Sequence, residues 1–273
     1  MDLKLLIEKA LEEDLGVGDI TTDAVVDSAL KSKAQIIAKQ DLVLAGIDVA
    51  HKVFVAIDSH LDWSPQKKDG QFVTKGECIA KISGSTSAIL KGERVALNFL
   101  QHLCGIATRT HQFVEAVKGT NVKILDTRKT LPGWRALEKY AVRMGGGNSH
   151  RLGLFDRYLI KNNHITAAGS IASAIEKVLE NKKRGVLIQV EVKNLEELKT
   201  ALAYPIDIVL LDNFSPSQIK EALKMGKGKA KFEASGGINL DNVAQYAATG
   251  VDFISSGALT HSAPAADIHL IIK

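Results

Sequence analysis

The chain has 273 residues, 45% hydrophobic and 24% charged, with a net charge of +4 and a pI near 8.9. That is the make-up of a globular enzyme with room for one large or two modest domains. No apolar run approaches the length needed to cross a bilayer, and aromatic residues at 5%, without basic and aromatic interleaving, argue against nucleic acid as a partner.

The start, Met-Asp-Leu-Lys, runs straight into an amphipathic pattern, so no signal peptide is expected. Asp2 is placed to cap a helix carrying Leu3, Leu6, Ile7, Ala10 and Leu11 on one stripe. The loop Glu12 to Thr22 holds two glycines. Residues 34–38 and 42–44 read as strands, 46–57 as a helix, and 61–64, 72–73 and 79–82 as short strands punctuated by Gly70, Gly76 and Gly84. This region lacks a βα repeat and implies a separate small α+β domain. Two helices are expected next, over 87–103 and on to about Val117, with Gly105 interrupting them as a junction between domains. Cys78 and Cys104 have neither metal-ligand nor redox spacing. Both are expected as free thiols of a cytoplasmic protein.

From Val122 the pattern changes to alternation. Strands are expected at 122–126, 158–161, 186–192, 207–212, 230–235 and 252–256, with helices at 134–144, 170–182, 194–203, 215–225 and 239–249. Short continuous apolar strands between helices imply a parallel sheet covered on both faces. Six strands are too few for an eight-stranded barrel, so a closed but irregular barrel and an open doubly wound sheet both fit. Asp126, Lys161, Glu191, Asp212, Ser235 and Ser256 all fall at or near the carboxyl ends of these strands. In a parallel barrel those ends converge on one face, where such folds carry their chemistry.

Charge is uneven along the chain. Between Lys123 and Lys161 nine Lys and Arg face three acids, a net of +6 against +4 for the whole, so the remainder is slightly acidic. Thr127, Arg128, Lys129, His150, Arg151 and Lys161 therefore form a candidate anion site, in which arginine forks hold carboxylates bidentately. Arg135, Lys139 and Arg143, on the following helix, are expected to form structural ion pairs instead. Glu191 and Asp212 are candidate metal carboxylates. The competing reading has each accept a hydrogen bond from Lys161 or Lys129. Ser235, Gly236 and Gly237, with Ser256, Gly257 and Ala258, form two glycine turns in the last two βα loops, where amides cradle phosphate.

The motifs Asp126-Thr-Arg-Lys-Thr130, Glu138-Lys-Tyr-Ala-Val142, Gly145-Gly-Gly147, His150-Arg-Leu-Gly-Leu154, Leu159-Ile-Lys161 and Asn163-His-Ile165 resemble the quinolinate phosphoribosyltransferase family, of the type II phosphoribosyltransferases. The resemblance extends to Glu12–Thr22, to Gly92–Asn98 and to the turn Ile254–Leu259. It favours the barrel and implies an α/β fold: an irregular, incomplete (β/α) barrel over 106–259 with a smaller N-terminal α+β sandwich domain over 1–105, onto which a tail, 260–273, returns. It implies phosphoribosyl transfer from phosphoribosyl pyrophosphate to quinolinate with decarboxylation, in NAD biosynthesis. Lys129, Lys161, Glu191 and Asp212 are then catalytic. Mg²⁺ is the implied cofactor, since it binds through a few carboxylates plus substrate oxygens. The resemblance also implies a homodimer with a shared site, to which the neighbouring subunit's Arg94 reaches. A transferase acting on nicotinate and a non-catalytic phosphometabolite-binding barrel are the alternatives. The number of cations and the intact acid pair count against them.

Overall fold

The computed structural model describes residues 2–273. They divide into two compact units, one formed by residues up to His111 with Thr130–Gly146 and Ser262–Lys273, the other by Gln112–Lys129 and Gly147–His261.

The first unit opens with α1 (Leu3–Leu15), whose N-terminus is capped by the Asp2 carboxylate accepting from the Lys4 amide, and α2 (Ile20–Val25), capped in the same way by Asp19. Strands β1 (Lys31–Ala38), β2 (Leu42–Val43), β3 (Asp62–Pro65), β4 (Phe72–Val73) and β5 (Cys78–Ser85) surround α3 (Ile47–Ile57). The main sheet is antiparallel, in the order C-terminal strand (Ile268–Ile272), β1, β5, β3. The tail thus returns to this unit as an edge strand.

One expectation fails here. In place of two helices broken at Gly105 there is a single helix, α4 (Thr86–Ala116). Gly105 lies within it because the tail crosses close by: a Cβ there would stand 2.1 Å from the Pro264 carbonyl oxygen. A glycine costs a helix interior about 1 kcal/mol relative to alanine, so Gly105→Ala would ordinarily stabilise. Here we expect the reverse, a loss of about 1–3 kcal/mol from overpacking, read as a lowered midpoint in thermal unfolding. A raised midpoint would show that the tail is not held there.

Helix α5 (Arg135–Met144) also departs from expectation, since it groups with the first unit. Its contacts explain why. Trp134 stacks on Phe99 at 4.6 Å between centroids. The fully buried Glu138 receives His102 Nε2 at 2.9 Å, and the Tyr140 hydroxyl donates to Asp69 at 2.7 Å. Lys139, expected in a structural ion pair, is buried on this helix.

The second unit is a six-stranded parallel sheet of β6 (Lys123–Leu125), β7 (Tyr158–Ile160), β8 (Ile188–Val192), β9 (Ile208–Asp212), β10 (Lys231–Ser235) and β11 (Phe253–Ser255). Their order is β6-β11-β10-β9-β8-β7. The first strand thus lies beside the last, as in a barrel, and the remaining neighbours follow chain order. Only the β6–β7 pairing of a closed ring is missing among the described residues, and a single bridge from Leu125 to Asn148 covers that edge. The result is an incomplete barrel. Helices α6 (Asn162–Ala168), α7 (Ile171–Glu180), α8 (Leu195–Ala201), α9 (Pro216–Met225) and α10 (Val243–Ala247) follow β7 to β10. Asn194 and Ser215 cap α8 and α9 through their side chains. Strands β8 to β10 are buried almost throughout, as a sheet covered on both faces requires.

Candidate active site

Every strand of the parallel sheet delivers polar residues to its carboxyl end, and these line one cavity of about 660 Å³. The cavity lining includes Thr127, Arg128, Lys129, His150, Arg151, Lys161, Glu191, Asp212, Ser235, Gly236, Gly237, Ser256, Gly257 and Ala258, so fourteen residues scattered over the sequence come together. Arg94 is not among them. It lies exposed on α4 in the first unit.

The cationic wall is built on β6 and the segment before β7. Asp126, fully buried at the end of β6, accepts the His150 amide at 2.8 Å, which ties the 148–150 turn to the strand. The Arg151 guanidinium donates to the Arg157 carbonyl at 3.3 Å. Asp156 accepts the amides of Leu152 and Gly153 at 2.6 and 3.1 Å and so closes the turn behind Arg151. Arg151 is only 6% exposed. Burial lowers its pKa from the ordinary arginine value, and the neighbouring charge of Arg128 lowers it further. A buried guanidinium crowded by a second one favours an anionic ligand, which relieves both effects. The exposed Lys129 has its backbone pinned by the Thr260 hydroxyl, which donates to its carbonyl at 2.6 Å.

The acidic wall lies opposite in chain order. Glu191 on β8 is buried, and Lys161 Nζ stands 3.1 Å from its carboxylate. Burial raises the pKa of Asp212, at the end of β9, and the charge of Glu191 adds to this, while Lys161 and a hydrogen bond to Asn213 act against it. Glu191 and Asp212 thus share a field. The lysine contact expected under the competing reading is present at Glu191. Two neighbouring carboxylates facing an open cavity also fit Mg²⁺, which takes one or two carboxylates and completes its shell with water and phosphate oxygens. No cluster of three or more metal-ligating side chains occurs among the described residues.

The glycine turns form the third wall. Gly236 has φ 99° and Gly237 φ 62°, values that favour glycine. A Cβ on Gly236 would meet Asn213 Oδ1 at 2.3 Å. Gly257 has a second role: a Cβ there would lie 2.8 Å from both Lys129 Cδ and His261 Nε2, so its bareness lets the Lys129 chain cross the turn. The Ser256 hydroxyl is engaged inside the loop, donating to the Ile238 carbonyl at 2.7 Å and accepting from the Ala258 amide at 3.3 Å. Its contribution is to shape the turn.

Sequence reasoning did not single out the polar lining residues Asn213, Glu233, Asn239, Ser255 and His261. Asn213 carries the one positive φ among the described non-glycine residues, 58°, a conformation asparagine tolerates better than most. Nothing in its sequence context signals this except its place directly after Asp212.

A basic wall, an acid pair and two glycine turns at the open end of an incomplete α/β barrel define a transferase class that handles a phosphorylated, multiply anionic substrate. The comparisons with known proteins agree with that class and narrow it. The models of the quinolinate phosphoribosyl transferase N-terminal and C-terminal domains match residues 19–104 and 106–271, and the chain belongs to this family of phosphoribosyltransferases. A probable nicotinate-nucleotide pyrophosphorylase [carboxylating] of Bacillus subtilis is 42% identical over 270 residues, 99% of this chain and 93% of that protein. The chloroplastic nicotinate-nucleotide pyrophosphorylase [carboxylating] of Arabidopsis thaliana is 40% identical over 99% of this chain and 83% of that one. Among solved structures, NadC from Streptococcus pyogenes is 39% identical with a TM-score of 0.96 over 99% of this chain and 96% of that one. A human nicotinic acid phosphoribosyltransferase, at 11% identity and a TM-score of 0.66, shares the fold alone.

Proposed function

We propose that the protein transfers the phosphoribosyl group of phosphoribosyl pyrophosphate to quinolinate, releasing pyrophosphate and CO₂ and leaving nicotinate mononucleotide, a precursor of NAD. The observation that carries this reading is the buried Arg151, crowded by Arg128 and lining one cavity with an acid pair and two glycine turns. Arg128, Arg151 and Lys161 hold the two carboxylates of the base, and His150 shapes the wall behind them. The turns Ser235–Gly237 and Ser256–Ala258 hold the 5-phosphate through backbone amides.

In the reaction the pyridine nitrogen forms a bond to ribose C1 as the C1–oxygen bond to pyrophosphate breaks. The site's cations, Lys129 and Lys161 among them, meet the charge that builds on the departing group. The N-ribosylated ring is a pyridinium. Its positive charge stabilises the electron pair that stays on C2 when the C2–carboxylate bond breaks, and a proton then replaces CO₂ at that carbon. Glu191 and Asp212 would hold Mg²⁺, which supplies positive charge to the pyrophosphate when bound. The protein's contribution is position and charge.

The decisive assay mixes the protein with quinolinate, phosphoribosyl pyrophosphate and Mg²⁺ and follows CO₂ and nucleotide together, with nicotinate in parallel. Turnover of nicotinate alone, without CO₂, would overturn the reading. Within it, Arg151→Ala and Lys161→Ala are expected to weaken quinolinate binding by about 1.5–3 kcal/mol and phosphoribosyl pyrophosphate binding less. Calorimetry giving unchanged quinolinate affinity in both variants would remove these residues from the base subsite.

The reading includes a homodimer in which Arg94 of the partner subunit completes the base subsite. Its support is that Arg94 is exposed and that its segment Gly92–Asn98 resembles the family pattern. A cytoplasmic location accords with Cys78 and Cys104 both being free, as in reducing compartments. No helix among the described residues is long and apolar enough to cross a membrane.

A further inference from the structure

Beneath the cationic wall lies a buried polar chain for which the proposed reaction has no part. Glu233, on β10, is fully buried yet borders the cavity. One of its oxygens accepts Gln189 Nε2 at 2.8 Å and lies 3.4 Å from His150 Nε2. Gln189, on β8 and equally buried, accepts Arg157 at 3.2 Å through its own oxygen, which orients its amide with the NH₂ toward Glu233. On the far side of the imidazole, His150 Nδ1 accepts the Arg151 amide at 2.7 Å.

A ring nitrogen that accepts a backbone N–H carries a lone pair, so the proton of a neutral imidazole must sit on the other nitrogen. Here that nitrogen is Nε2, and it faces the carboxylate. Burial alone would raise the pKa of Glu233. The neighbouring His150 and the Gln189 hydrogen bond help outweigh it and hold the carboxyl below its ordinary value. The group is therefore an ionised acceptor in a dry site, where a missing donor is costly.

We propose that Glu233 is a positioning residue, holding His150 as the Nε2–H tautomer with both ring nitrogens engaged inside the fold, so that His150 sets the Arg151 backbone and gives the ligand no N–H. The network runs from Arg157 through Gln189, Glu233 and His150 to Arg151. It links two sheet strands to the residue whose buried guanidinium faces the cavity. The inference rests on the transferase reading only in taking quinolinate as probe and substrate.

The test is long-range ¹H–¹⁵N spectroscopy of the full chain labelled at histidine, with His150 assigned by its loss in His150→Gln. The expected result is an Nε2–H tautomer, unchanged on adding quinolinate. A proton on Nδ1, with or without quinolinate, overturns the proposal. Kinetics give a second arm. Glu233→Gln should raise KM for quinolinate roughly tenfold, the scale of one misplaced hydrogen bond, with kcat nearly unchanged, and should add nothing in the His150→Gln background. Effects that multiply would make Glu233 a stability residue and overturn the proposal. If Glu233→Gln fails to fold, the wild-type spectra alone decide. They also decide if quinolinate is not turned over, so failure of the tautomer is distinguishable from failure of the reaction.

Discussion

Replacing Glu191 with Gln and Asp212 with Asn together is expected to abolish Mg²⁺-dependent turnover, by about 10³-fold or more, while quinolinate binding stays measurable. The two carboxylates close neighbouring strands, β8 and β9, and each lies in the other's field. Removing both takes away the charge that would hold a divalent cation against pyrophosphate, a loss on the scale of a principal electrostatic stabiliser. Quinolinate depends instead on the cationic wall from β6 and the turn before β7. The double variant also releases Lys161, whose Nζ lies 3.1 Å from Glu191, so base affinity is expected to hold or rise slightly. Activity and calorimetry on the same preparation give both readings. Full Mg²⁺-dependent turnover in the double variant would leave the acid pair as a partner of Lys161 only.

A mixed dimer of Arg94→Ala and Lys161→Ala, each inactive alone, is expected to regain activity in one of its two sites. If the neighbouring subunit supplies Arg94, the protomer carrying Arg94→Ala keeps its own Lys161 and receives an intact Arg94 from its partner. If Arg94 acts within its own chain, every site carries a lesion. Two different affinity tags isolate the mixed species, and the recovered rate should approach half that of the wild type, one intact site in two. A mixed dimer as inactive as its parents would sink the shared site. Arg94 would then be a surface arginine whose stem packs along α4.

The site was legible in the sequence because a parallel α/β sheet places residues by periodicity. An apolar run of four or five residues fixes a strand, and the polar residue that ends it falls on the carboxyl face. Asp126, Lys161, Glu191, Asp212, Ser235 and Ser256 could all be named on that ground. The basic segment and the two glycine turns followed from local composition. Gly105 was not legible. A glycine in a helical run signals a break as often as a close approach, and only the tail passing at Pro264 distinguishes the two. The same limit hid α5, whose amphipathic pattern suits a barrel helix equally well. Its grouping with the first unit depends on partners at Phe99, His102 and Asp69, thirty-five or more residues away.

By itself, then, the sequence determined the strands, their chemistry-bearing ends and the charge of the pocket, because these depend on alternation and composition over a few residues. Only the tertiary structure decided that the ring stays open between β6 and β7, that the Ser256 hydroxyl turns into its own loop, and that Glu233 and Gln189 meet His150 beneath the cavity. Each of these depends on which distant groups can satisfy a buried donor or acceptor. Such pairing across strands leaves no periodic trace in the chain.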